Sequence, residues 1–158
     1  MSSFGKTYHA TGWKIAYCIA PPQLSLEFRK IHQFVTFTTH TASQWALAEF
    51  LQTCPEHYLS LSAFYNKKRD LFNALLEQSH FKLIPSQGTY FQLADYSAIT
   101  DMADMQFVSY LTQEIGVAAI PLSVFYANPP EQTLVRFCFA KNDHTLELAC
   151  EKLTRISL

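Results

Sequence analysis

Apolar positions along the chain alternate between unbroken or every-second runs and three-and-four spacing, which predicts strands and helices in turn. Residues 1–11 read as loop. Residues 12–20, Gly-Trp-Lys-Ile-Ala-Tyr-Cys-Ile-Ala, form a short aromatic and apolar run of the kind a buried strand needs, and Pro21-Pro22 ends it. Ser25 is a candidate N-cap for a helix that aligns Phe28, Ile31 and Val35. A second helix is expected from Thr41 to Leu51, with Pro55 as separator. Between His57 and Ser79, the positions Leu61, Phe64, Tyr65, Phe72, Leu75 and Leu76 make one helical stripe, the longest in the chain.

Further on, residues 81–85 and 89–93 flank Ser86-Gln87-Gly88 as a hairpin would, with Gly88 expected to supply an unusual backbone angle. Asp104 is placed to cap a helix through Ile115, and Gly116 to stop it. Residues 117–120 and 134–140 read as strands. Asp143 would then cap a last helix with Leu146, Ala149, Cys150 and Leu153 on its apolar face. The pattern is α/β: from Phe81 onward it makes a small sheet-and-helix layer, while the first fifty residues look like pieces of something larger. A central strand near the start would need neighbours on both sides.

The totals sharpen this picture. In 158 residues, 49% are hydrophobic, 15% aromatic and only 16% charged, below the usual quarter, so part of the surface is expected to meet further protein. A net charge of -1 with dispersed lysines and arginines disfavours nucleic acid as a partner. Cys18, Cys54, Cys138 and Cys150 contain no CxxC pair, which argues for free thiols and against a structural metal site. The six histidines show no paired ligand spacing and default to solvated or capping roles. No apolar run approaches the roughly twenty residues of a membrane span, and the first residues do not read as the charged and apolar regions of a signal peptide. The expected compartment is the cytoplasm.

Chemistry concentrates in residues 3–17, Ser-Phe-Gly-Lys-Thr-Tyr-His-Ala-Thr-Gly-Trp-Lys-Ile-Ala-Tyr. Taken singly, Lys6 is a solvated loop residue and Lys14 a surface charge. Together the segment resembles the lysine signature of the class I/II aminotransferases of the fold-type I pyridoxal-phosphate group, in the branch of kynurenine and methionine (glutamine) aminotransferases. The resemblance implies that Lys6 is the catalytic Schiff-base lysine. It also implies that pyridoxal 5'-phosphate is the cofactor and that Ser3 and Lys14 meet its phosphate. Such an amine needs a neutral form at neutral pH, which a cationic neighbour and a low-dielectric pocket both favour. Once freed it can carry a proton as base and acid.

A second constellation is residues 134–140, Leu-Val-Arg-Phe-Cys-Phe-Ala, with Arg136 in an apolar strand. On its own it could be an edge arginine or half of an internal ion pair. The resemblance makes it the group that binds the substrate α-carboxylate through a bidentate fork. Residues 85–91 and 119–126 resemble two small-domain segments of the family.

The implied architecture is the C-terminal part of the aspartate aminotransferase-like fold, the end of the large domain plus the small α+β domain. Residues 1–55 would be a remnant of the large cofactor-binding domain, and residues 56–158 the long interdomain helix and small domain. In the family, the aromatic ring stacked on the cofactor, the Asp on the pyridine nitrogen and much of a homodimer interface come from segments that this chain does not match. The expected substrates are amino acids and 2-oxo acids. The chain by itself is expected to hold the cofactor weakly or not at all and to turn over little substrate. The alternative is a non-enzymatic, truncated or split fragment that survives as a folded domain or needs a complementing N-terminal chain.

Overall fold

The computed structural model describes residues 1–156. They form two compact units, Met1–Ser62 and a second beginning at Ala63.

In the first unit, β1 (Ser2–Ser3) pairs antiparallel with β2 (Ala16–Tyr17), placing Ser3 opposite Ala16. One helical turn, α1 (Phe4–Thr7), follows β1, so the expected loop over residues 1–11 is in part ordered backbone. The expected strand over residues 12–20 contracts to the two residues of β2, and of that run only Ile15 is buried. Two local causes account for this. Thr11–Trp13 coil into a 3-10 turn whose end residue, Lys14, is left-handed at φ 55°, and β2 has one pairing partner where a buried strand needs two.

Helix α2 (Pro22–Val35) starts three residues before the expected Ser25 cap. Proline lacks the N–H that a first turn leaves unsatisfied and already has helical φ. Ser25 instead donates its hydroxyl to the Ala20 carbonyl. No residue of α2 is buried, and Ile31 and Phe34 are 63% and 86% exposed, so its apolar stripe has no cover in this chain. Helix α3 (Thr41–Thr53) buries Leu47 alone. Pro55 does more than separate elements, because it begins α4 (Pro55–Leu76), the 22-residue helix that is the longest here.

The second unit is a four-stranded antiparallel sheet in the order β3-β4-β6-β5, formed by Lys82–Leu83, Phe91–Asp95, Leu134–Cys138 and Ile120–Pro121. The hairpin is present, but the left-handed residue is Thr89, at φ 69°, and not Gly88. Ser86 donates its hydroxyl to the Gly88 carbonyl, which places the reversal one residue later. Helix α5 (Asp104–Tyr110) continues as a wide π-type turn to Ile115, and Gly116 closes it at φ 74° as expected of an αL stop. Asp104 is the first helical residue and not its cap, because its carboxylate is engaged by Ser123. Helix α6 (Asp143–Thr154) is capped by Asn142, whose Oδ1 accepts from the Thr145 N–H, so the cap lies one residue before Asp143.

Strand period decides what the sheet buries. Gln92 and Ala94 of β4 and Val135 and Phe137 of β6 point to one face, with Tyr96 and Phe139 continuing the alternation just past the strand ends. Phe72 and Leu76 of α4, Phe107 and Leu111 of the α5 segment, and Leu146, Cys150 and Leu153 of α6 complete the core. Tyr96 stacks on Phe107 at 4.2 Å and donates its hydroxyl to the Met102 carbonyl. Burial, with the charges of Asp104 and Asp95, pushes its phenol up to about 12.

The contrast between the two units is testable. Phe107→Ala should lower the stability of the second unit by about 3–5 kcal/mol in urea unfolding, since the ring is wholly buried. Phe34→Ser on α2 should change the stability of the first unit by less than about 0.5 kcal/mol, as expected of an uncovered position.

Candidate active site

The sequence-predicted residues fall into two sites, one in each unit. In the first, Ser3 ends β1 and caps α1, its Oγ accepting from the Gly5 N–H at 3.1 Å. Lys6 lies inside the capped turn. Lys14 stands on the returning segment two residues before Ala16, the partner of Ser3 across the ladder. Strand pairing, the cap and the 3-10 turn thus bring Ser3, Lys6 and Lys14 into one small substructure. All three are exposed, and among the described residues neither lysine amine has a hydrogen-bond or ion-pair partner.

The backbone there is tight. A Cβ on Gly5 would meet Thr11 Cα at 3.2 Å and Ser3 Oγ at 3.3 Å, so a side chain there would force the capped turn and the 3-10 turn apart by a few tenths of an ångström. His9 and Lys14 adopt left-handed angles, each costing on the order of 1 kcal/mol, as is common where a loop must present side chains.

His57 was expected to be solvated or capping, and the structure assigns it a larger part. From the start of α4 it is half-buried, and its Nε2 donates to the Thr7 carbonyl at 2.8 Å, tying down the residue after Lys6. Tyr8 stacks on it at 5.3 Å, while Phe50 and His9 meet its ring edge-on. The only hint of this in the sequence is an aromatic cluster split between residues 8–9 and 50–57, too far apart for spacing to reveal.

In the second unit, Arg136 alternates with buried Val135 and Phe137 and so stands on the opposite sheet face. Leu93 of β4 and Ile120 of β5 lie directly across from it. The guanidinium rests 4.0 Å from the centroid of Phe91 and 5.0 Å from that of Phe125, a cation between two aromatic faces. Its Nε is buried without a hydrogen-bond partner, and no carboxylate pairs with it among the described residues. Among the described residues the internal ion pair is not formed. A half-buried cation with an unpaired buried donor leaves a polar group unsatisfied, which costs free energy until a partner is found.

Phe125 ends a 3-10 turn, Ser123–Phe125, that Asp104 anchors by accepting from the Ser123 N–H and hydroxyl, both at 2.8 Å. Burial would raise the Asp104 carboxyl, but those bonds, with the Met105 and Leu122 N–H groups, outweigh it and hold the carboxyl below its ordinary value. Neither this anchor nor the aromatic clamp was visible in the sequence.

The family model for class I and II aminotransferases matches residues 1–153. With its antiparallel sheet, capped lysine turn and anion-ready arginine, this chain belongs to the class I and II aminotransferase family. It is 53% identical to the methionine aminotransferase of Escherichia coli (strain K12), across 99% of this chain and 40% of that protein. It is 34% identical to the kynurenine–oxoglutarate transaminase of Dictyostelium discoideum, across 99% of this chain and 41% of that one. The crystal structure of YbdL from Escherichia coli, for which a methionine aminotransferase function was identified, superposes with a TM-score of 0.92 and 53% identity over 98% of this chain and 41% of that chain. The fold is accordingly α/β, of the aspartate aminotransferase type, and the chain spans about two fifths of the length of these relatives.

Asp104 makes the second unit acid-sensitive in a defined direction. Its folded pKa lies below the ordinary 3.8, so its stabilisation is present at neutral pH and is lost as pH falls through that lowered value. Asp104→Asn should flatten the fall in urea-unfolding free energy between about pH 5 and pH 3. An unchanged slope would refute the anchor.

Proposed function

We propose that this chain is the C-terminal portion of an enzyme that moves an amino group between an amino acid and a 2-oxo acid with pyridoxal 5'-phosphate. In this reading residues 1–55 belong to the large cofactor-binding domain, and residues 56–158 supply the interdomain helix and the small domain. The observation that supports it is the capped turn: the cap at Ser3 holds the turn that contains Lys6, and Ser3 pairs with Ala16, two residues beyond Lys14.

That donor set suits the two ends of the cofactor. Ser3 and Lys14 offer a hydroxyl and a point charge to a phosphate dianion. The fit also has a backbone basis, because a side chain at Gly5 would crowd the turn at Ser3 Oγ. Lys6 supplies the amine that meets an aldehyde. When bound, the cofactor supplies the electron sink for the substrate's α-carbon. Lys6, once released, holds or returns the proton at that carbon. Arg136, with its donors unspent, grips the carboxylate common to every amino and oxo acid. His57 keeps the Lys6 turn seated through the Thr7 carbonyl.

We further propose a cytoplasmic setting and a homodimeric full-length parent. The four cysteines, all free thiols, suit a reducing compartment. Methionine and kynurenine enter as candidate amino donors only through the names of the relatives.

The uncovered stripe of α2 favours a second reading, in which the chain is a folded piece without activity until another polypeptide covers that face. One experiment separates the two. Pyridoxal phosphate is added to the purified chain, the mixture is reduced with borohydride and the adduct is mapped by mass spectrometry. Labelling confined to Lys6, abolished in Lys6→Arg and weakened in Ser3→Ala, is the result expected of the cofactor-site reading, with little or no turnover. Labelling spread over surface lysines would support the second reading and remove Lys6 from its role.

A further inference from the structure

Arg136 is held in an unusual way for a charge on a sheet. Salt bridges orient a guanidinium through a partner carboxylate, but none is present here among the described residues, and its Nε is buried and unpaired. What surrounds it is aromatic. Phe91, from the neighbouring strand β4, is fixed by the ladder that pairs it with Cys138. Phe125 is different, because it belongs to no strand and sits in a half-exposed connection, 59% accessible. A ring in such a segment stays over a cation only if something else fastens the segment.

That fastening is Asp104. It is one of two buried polar residues among the described residues, lies at the first position of α5, and accepts from both the backbone N–H and the hydroxyl of Ser123. The turn itself closes with the Phe125 N–H on the Leu122 carbonyl and the Tyr126 N–H on the Ser123 carbonyl. Ser123 is thus the fixed end of a three-residue turn whose other end is the ring against Arg136. A carboxylate accepting two such bonds from a single residue resists rotation of that turn better than either bond would alone.

We infer that Asp104 and Ser123 are positioning residues for Arg136: by clamping the start of the 123–125 turn they hold Phe125 against the guanidinium and fix the plane in which it meets a carboxylate. The inference rests on the proposal that Arg136 binds the substrate carboxylate. The consequence is chemical as well as geometric. A guanidinium with ring centroids 4.0 and 5.0 Å away has less freedom to turn, and its edge carries the paired N–H groups that match a carboxylate. Freed from Phe125, the group would sample other orientations and lose affinity without losing its charge.

The test uses the full chain labelled with 15N at arginine. The Arg136 Nε–H resonance is assigned by its loss in Arg136→Lys, and its side-chain protons are followed during titration with 2-oxobutyrate. In the unsubstituted chain the two rings should shift the Arg136 side-chain protons upfield, and the oxo acid should perturb the Nε–H resonance saturably. Phe125→Leu should remove part of the ring shift and weaken binding by about two- to five-fold, as expected for loss of one cation–π contact. Ser123→Ala and Asp104→Asn should reproduce that result with Phe125 present, and Ser123→Thr should restore it. Thr retains the hydroxyl, so its rescue separates positioning from a loss of stability. If Ser123→Ala leaves both the ring shift and the affinity unchanged while the unsubstituted chain binds, the positioning role is overturned and the carboxylate reading survives. If the unsubstituted chain shows no response of Arg136 to the oxo acid, the carboxylate reading fails and takes the inference with it.

Discussion

The antiparallel pairing of β6 between β4 and β5 is the constraint from which the second unit follows. It fixes which residues of Leu134–Cys138 face the helices and which face away, and a shift of one residue would exchange the two sets. In the register observed, Val135 and Phe137 enter the core with Phe139 beyond them, and Arg136 stands between Leu93 and Ile120 on the other face. Burying Arg136 would cost far more than any single apolar contact contributes, so the charge and the two flanking apolar residues specify the register together.

The same register makes Arg136 chemically available. On a face covered by Phe91 and Phe125, its charge is partly desolvated but not neutralised. Partial desolvation strengthens whatever anion it meets, because the competing water is fewer and the effective dielectric lower. The anchor from Asp104 to Ser123 ties the start of α5 to the turn that carries Phe125.

The first unit follows a different logic. Its site depends on short-range devices, a serine cap, a glycine contact, a left-handed lysine and one histidine tether, none of which needs a large core. Its helices need one. Helix α2 presents Leu24, Phe28, Ile31 and Phe34 to solvent, and a stripe of that period exists to be buried against another surface.

Much of this was readable from residue order because it depends on local periodicity. The 3.6-residue stripe of α4, the apolar face of α6, the two-residue alternation around Arg136 and the αL stop at Gly116 need only neighbouring residues for their explanation. The lysine segment was also recognisable, since its small, cationic and aromatic residues are contiguous. What periodicity could not supply were decisions made between distant segments. The run over residues 12–20 did not become a buried strand, because burial depends on neighbours and β1 is its only one. Asp104 reads as a helix cap, yet it is occupied by Ser123, 19 residues away. His57 reaches Thr7 across 50 residues. Taken alone, Arg136 favours an edge or ion-paired arginine, and the family resemblance favours a carboxylate ligand; the sheet sets two aromatic rings beside it and, among the described residues, no carboxylate. Local sequence determined which elements form and which faces are apolar; the tertiary structure alone decided which polar groups found partners, because hydrogen bonds and desolvation act through space between residues that the chain keeps apart.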